Sequence, residues 1–223
     1  AELMIGAKVG VLRTMPQPDD QAFSRFRRQT EALGRPWKEG RYGDYLRGLD
    51  KNDPMTLPVL EAAASLFRGA GYVTFDGTVP AGDLEQAAIG APYAHATAPL
   101  RRLVDRWSLA ICEAVSQGRP APEWARESLP QLPDLMQQSA QRASTLNAET
   151  IDRVEAALLH PLVGKSIEAT VIELRGESRA AVQIAEPPVT SSAPVRAGTA
   201  PGDTVTLKLT SVDIAKGEVQ FAA

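Results

Sequence analysis

The 223 residues carry 24 Lys and Arg against 27 Asp and Glu, a formal charge of −3. No global basic field therefore draws the chain to a polyanion, and any nucleic-acid contact must come from a local patch or a lined channel. Hydrophobic content of 43% and charged content of 23% fit a globular protein with one or two cores. The chain holds no apolar run of about 18 residues, the length a membrane span requires, and no signal-peptide pattern. Its single cysteine, Cys112, excludes an internal disulfide and fits a reducing cytoplasm.

Residues 1–14 read as a helix lined with small and apolar groups (Leu3, Met4, Ala7, Val9, Leu12). That apolar spacing begins at once from Ala1, as it would in the middle of a protein. A break at Pro16–Asp20 follows, with Asp19 or Asp20 as cap of a helix over 20–33 that turns Phe23, Phe26 and Leu33 inward and ends at Gly34. A short helix is predicted over Gly43–Leu49 and a longer one over Pro54–Phe67. Gly71–Phe75 reads as a strand, with Leu84–Ile89 as its expected partner. A helix over 99–117 closes at Gly118, and a long helix over 133–159 carries Leu135, Met136, Ile151, Val154 and Leu158. From His160 onward alternation replaces helical spacing. Strands are predicted over 167–174, 180–184, 189–195, 204–212 and 217–221. Five short strands in about 60 residues suggest a small barrel.

The most informative stretch is Tyr93-Ala94-His95-Ala96-Thr97-Ala98-Pro99-Leu100-Arg101-Arg102-Leu103-Val104-Asp105-Arg106. Pro99 suits the first position of a helix, where its missing N–H costs nothing. The free N–H groups of such a helix start favour an anion, and Arg101, Arg102 and Arg106 add forked donors that match phosphate oxygens. Leu100, Leu103, Val104, Trp107, Ile111 and Val115 fall on one helical face. Arg101 and Asp105, four apart, are placed to pair. Cys112 falls in the apolar register and reads as an inert core thiol. With only two, distant histidines, no zinc site is expected. Neither a Ser-His-Asp set nor a glycine-rich phosphate loop appears.

The pattern Tyr-x-His-x-Thr-x-Pro-x-Arg-Arg-x-x-Asp resembles the signature near the end of the catalytic (RNB) domain of the RNase II / RNase R family, the hydrolytic 3′-to-5′ exoribonucleases. His95, Thr97, Pro99, Arg101, Arg102 and Asp105 match it. Ala96, Ala98 and Leu103 stand where the family has Phe, Ser and Tyr, and Trp107–Ile111 occupies the region of its His-Arg pair. Glu2–Val9 resembles the family's Glu-Phe-Met-Leu-Leu-Ala-Asn helix, and Leu12–Pro16 the Tyr-Arg-x-His-x-x-Pro segment after it. The C-terminal strands, with Gly164 opening and Gly202-Asp203 before Val205, Leu207 and Leu209, resemble an S1-type OB fold. The fold class implied is α+β: a mainly helical C-terminal portion of an RNB-type catalytic domain over 1–160, then a five-stranded OB/S1-like barrel over 161–223. The barrel has Phe221 as its only aromatic beside Lys165, Arg175, Arg179, Arg196, Lys208 and Lys216. Tracking of an RNA backbone is thus favoured over base stacking, with plain packing the equal alternative.

The resemblance implies degradation of single-stranded RNA to 5′-mononucleotides in the cytoplasm, with Mg²⁺ in the intact protein. The metal-binding aspartates would lie upstream, in the N-terminal remainder of the same protein, and no metal ligand is assigned within 1–223. Arg101 is the catalytic candidate, stabilising charge on the phosphoryl oxygens. Tyr93, His95, Thr97 and Arg102 would position the 3′-terminal nucleotides. Each has an ordinary alternative: Tyr93 as a packed ring, His95 as a loop histidine, Arg102 as the partner of an acid. Glu2 reads as a capping or surface residue, with reach into the active-site groove as its alternative, and His160 as a hinge or surface residue. Two other functions stay open: a non-catalytic RNA-binding member of the same fold, and a purely structural interaction module.

Overall fold

In the computed structural model, which describes residues 1–82 and 84–222, the first helix stops almost as soon as it begins. Helix α1 is Glu2–Ala7; Lys8, at φ 57°, turns the chain left-handed, and Val9–Thr14 forms strand β1. The helix expected over 1–14 is thus half strand. Its Val9 and Val11 are β-branched and suit a pleated surface. Gly10 permits the fold-back, because a Cβ there would lie 2.5 Å from that of Met4, which is wholly buried.

Two units follow from packing: Ala1–Pro18 with Phe67–Ser144, and Asp19–Leu66 with Thr145–Ala223. The sequence division at 160/161 marks where helix gives way to strand, whereas by packing residues 19–66 and the end of the long helix belong with the barrel.

In the first unit β1 pairs antiparallel with β2, Gly71–Asp76, setting Arg13 opposite Tyr72. Leu84–Ile89 is not the partner of β2. It yields only the two-residue β3, Glu85–Gln86, which pairs with β4, Ala91–Pro92. Helix α5, Leu103–Ser116, and helix α6, Glu123–Ser128, complete this unit with the first half of α7, Leu132–Leu159. Met4, Val11, Leu12, Phe75, Val104, Ile111, Leu129 and Leu132 form its core, with Cys112 partly buried against it. The Trp107 indole N–H donates to Ser128 Oγ at 2.8 Å, tying α5 to the end of α6.

In the second unit α2, Asp20–Ala32, is capped as expected: Asp19 accepts the Ala22 N–H at 2.7 Å. Gly34 follows at φ 69°. Phe26 is buried among the rings of Trp37, Tyr42 and Tyr45. The latter two lie on α3, Tyr42–Arg47; α4, Thr56–Ala64, follows.

The five predicted C-terminal strands all form: β5 Ser166–Leu174, β6 Arg179–Ile184, β7 Val189–Pro194, β8 Thr204–Asp213 and β9 Glu218–Ala222. They are antiparallel in the order β7-β6-β5-β8-β9, with β7 and β9 meeting to leave a nearly closed barrel. Val171, Val182, Ile184, Leu207, Leu209 and the α7 residue Leu159 fill it. The stripe expected to anchor the long helix is largely exposed: Leu135, Ile151, Val154 and Leu158 are 46–55% accessible, while Leu132, Ala156 and Leu159 are buried.

Glu155 on α7 is half-buried, and burial with the neighbouring Asp152 and Glu61 carboxylates pushes its carboxyl up to about 7, against a backbone hydrogen bond from Thr190. Above its unfolded value of about 4.3 the unfolded chain ionises freely while the folded one must keep this proton. Stability therefore falls as pH rises from that value through about 7, then levels. Thermal melts should show Glu155→Gln raising Tm at pH 8 and leaving it nearly unchanged at pH 4.

Candidate functional site

The motif of the first unit is organised around one buried carboxylate. Asp105, in the first turn of α5, is fully buried. Its oxygens accept the Ala98 N–H at 2.6 Å and the Arg102 guanidinium at 2.9 and 3.0 Å. Burial pushes this carboxyl up, but the Arg102 and Ala98 hydrogen bonds outweigh it and hold it below the usual carboxylate range. Ala98 is fixed at both ends, since its carbonyl accepts the N–H groups of Arg101 (3.2 Å) and Arg102 (2.9 Å).

Residues 99–101 consequently form a turn, and the helix starts at Leu103 with Arg102 as N-cap. This corrects the expected helix over 99–117. Pro99 is a turn residue, and Leu100, expected on the apolar face, is 96% exposed. The anion at this helix start is the protein's own Asp105. The expected Arg101–Asp105 pair is replaced by Arg102–Asp105, because the turn aims alternate guanidinium groups in different directions.

The two arginines therefore differ. Arg102 also donates to Thr97 Oγ1 at 3.1 Å, so Arg102 and Thr97 are committed within the protein. Arg101 is exposed, and its guanidinium makes no hydrogen bond or ion pair among the described residues. Arg106 donates to the Pro99 carbonyl at 3.2 Å and pins the turn from outside.

His95 and Tyr93 come together, their rings edge to face at 5.4 Å. Two residues that sequence reasoning did not single out complete the group. Tyr72 Oη lies 2.8 Å from His95 Nδ1. The Arg13 guanidinium sits 4.7 Å from the centre of the Tyr72 ring, and the Arg13 N–H donates to the Tyr93 carbonyl at 2.7 Å. The direct cross-strand pairing of Arg13 with Tyr72 was the signal, but it became readable only once residues 9–14 were known to be strand. Burial, then the charges of Arg102 and Arg13, hold the His95 imidazole below its ordinary value; Asp105 opposes them. The neutral imidazole is thereby favoured, with Nδ1 engaged by Tyr72 and Nε2 making no hydrogen bond among the described residues.

The arrangement offers a free guanidinium for a phosphoryl group, a neutral imidazole and two tyrosine rings. Glu2 is exposed on α1, and His160 is exposed in a single 3-10 turn of the other unit. No group of three or more His, Cys, Asp or Glu able to hold a metal occurs among the described residues. No helix among those residues is long and apolar enough to cross a membrane.

Residues 165–223 match the family model of the RNase II-type exonuclease C-terminal S1 domain. No curated protein matches the chain in sequence. Among solved structures, the fold resembles Mycoplasma genitalium RNase R in complex with ribose methylated single-stranded RNA, at TM-score 0.69 and 14% identity over 99% of this chain and 39% of that one. It also resembles an active-site mutant of the Candida glabrata Dss1 exoribonuclease, at TM-score 0.64 and 17% identity over 99% and 28%. Yeast Ssd1, a pseudonuclease, matches at TM-score 0.59 and 20% identity over 87% and 25%. The chain thus spans about two fifths or less of the length of these proteins.

Two outcomes check this geometry. In chemical denaturation at neutral pH, Asp105→Asn should lose ~3 kcal/mol, the scale for breaking a buried, hydrogen-bonded charge pair. The wild-type advantage should vanish as pH falls through the depressed carboxyl value, since that stability exists only while Asp105 is ionised. By NMR, the His95 imidazole should titrate below the ordinary value of about 6.5, and Arg13→Gln should move it back up.

Proposed function

We propose, for a chain that carries the C-terminal fold of the RNase II / RNase R family, the role of C-terminal part of a hydrolytic 3′-to-5′ exoribonuclease acting on single-stranded RNA and releasing 5′-mononucleotides. The observation that carries this reading is the Arg101 guanidinium, exposed and without an ion-pair partner among the described residues, on a turn that Asp105, Ala98 and Arg106 hold in place. A preorganised, uncommitted guanidinium is what charge growing on phosphoryl oxygens requires. An arginine already neutralised by a carboxylate has spent most of that capacity.

Around Arg101 the other residues take distinct parts. His95, neutral and fixed through Nδ1, presents Nε2 to a ribose hydroxyl or a phosphate oxygen. Tyr93 and Tyr72 hold its ring plane and offer faces for a terminal base. Arg102 and Thr97, committed to Asp105 and to each other, act as positioning residues that hold the turn. Mg²⁺, when bound by carboxylates carried outside this segment, supplies the activated water. The barrel supplies Lys and Arg for the RNA backbone. The site of action is the cytoplasm, in keeping with the single, unpaired cysteine.

A second reading, a non-catalytic RNA-binding protein of the same fold, is supported by the resemblance to the pseudonuclease Ssd1. The two readings part in an assay of 3′ trimming by the protein that carries this chain together with its upstream region. Mg²⁺-dependent release of mononucleotides is expected, and Arg101→Ala should lower turnover on the order of 10²–10³-fold with little change in RNA affinity. RNA binding without any trimming would instead establish the second reading.

A further inference from the structure

A cleft of about 370 Å³ opens in the first unit beside the Arg13–Tyr72 pair. It is separate from the His95–Arg101 surface but shares Tyr72 with it. One wall is nearly bare backbone: Gly69, Ala70 and Gly71 lead into β2, and a Cβ on Gly71 would meet nothing within 4 Å. The opposite wall is one face of α7, where Pro133, Met136, Gln137 and Ala140 fall three and four residues apart. The Gln137 side chain is exposed and has no hydrogen-bond partner among the described residues. Arg13 lines the cleft with a guanidinium that stacks on the face of the Tyr72 ring and makes no ion pair among the described residues.

A slot between a side-chain-free strand start and a Pro/Met/Ala helix face admits a flat ring. An amide carrying both donor and acceptor reads the edge of such a ring. A forked cation at one end takes a phosphate. The volume lies at the small-ligand end of the usual range of ~300–1,000 Å³, room for one nucleotide and not for a strand. We propose that this cleft is a binding site for a free nucleoside 5′-monophosphate, held by Arg13 at the phosphate and Gln137 at the base. Resting on the exoribonuclease reading, it makes the cleft a product site, reached by the released nucleotide past Tyr72.

The experiment is a titration of the 223-residue chain with 5′-AMP and 5′-UMP, followed by the amide NMR signals of residues 69–72 and 136–140. Both nucleotides should shift those signals, and adenosine and uridine should bind ~10-fold more weakly for want of the charged hydrogen bonds. Arg13→Gln should weaken 5′-AMP by a similar factor. Gly71→Val, which suits a strand and projects into the slot, should do so without touching a charge, and its own melting curve shows that it folds. Absence of shifts at millimolar nucleotide overturns the proposal, as do shifts insensitive to both substitutions. A single-stranded pentaribonucleotide is the distinguishing arm: if it alone shifts residues 69–72 and 136–140, the cleft holds strand and the product site is refuted. Nucleotide binding here together with absent trimming by the intact protein would overturn the exoribonuclease reading and leave the site standing. Trimming without nucleotide binding would do the reverse.

Discussion

The first unit depends on keeping the Asp105 carboxylate ionised while it is wholly out of water. A buried, unpaired carboxylate is costly. The chain compensates by converging on it the Ala98 N–H and the Arg102 guanidinium. Meeting that requirement closes the turn at 98–102, delays the helix to Leu103 and consumes one of two adjacent arginines. The same turn leaves Arg101 facing solvent. A single Arg-Arg pair thus yields one fixed cation and one exposed cation, with the carboxylate deciding which is which.

The electrostatics of His95 follow from the same arrangement. Arg102 and Arg13 lie near enough to disfavour a second positive charge on the imidazole, and burial acts in the same direction. Asp105 opposes them, but its charge is already matched by Arg102. The imidazole therefore adds no second positive charge beside Arg102 and Arg13. In a chain with formal charge −3, positive potential can only be local, and here the one buried carboxylate is already paired.

The barrel was legible because its signal is local: period-two alternation of Val, Ile and Leu, cut by Gly176, Gly202 and Gly217, fixes strands whatever packs on them. The capped helix after Asp19 was legible for the same reason. Strand β1 was not, because Val9-Gly10-Val11-Leu12 continues an apolar run that fits a helix equally well. What decides it is the Met4 side chain lying on Gly10 and the pairing with residues 71–76, both tertiary facts. Leu84–Ile89 failed for the complementary reason: its Glu85 and Ala87 bond to Met15 just past β1, and Glu85–Gln86 pairs with β4, both tertiary choices no local pattern announces. At the motif the residue types pointed to phosphate chemistry, yet Arg101 and Arg102 could not be told apart. Helical spacing favours the pair four apart, whereas a turn ahead of the helix favours the pair three apart.

Arg13 and Tyr72 join these strands of argument. Neither carries a recognisable signature alone; they become a unit because β1 and β2 register them face to face. The tyrosine ring holds the guanidinium without neutralising it, since a ring face screens a cation far less than a carboxylate does. The tyrosine hydroxyl meanwhile fixes His95. One cross-strand pair thereby orients the imidazole on one side and keeps an unspent cation at the end of a cleft on the other. Tyr72 is thus shared, its ring lining the cleft beside Arg13 and its hydroxyl meeting His95 Nδ1.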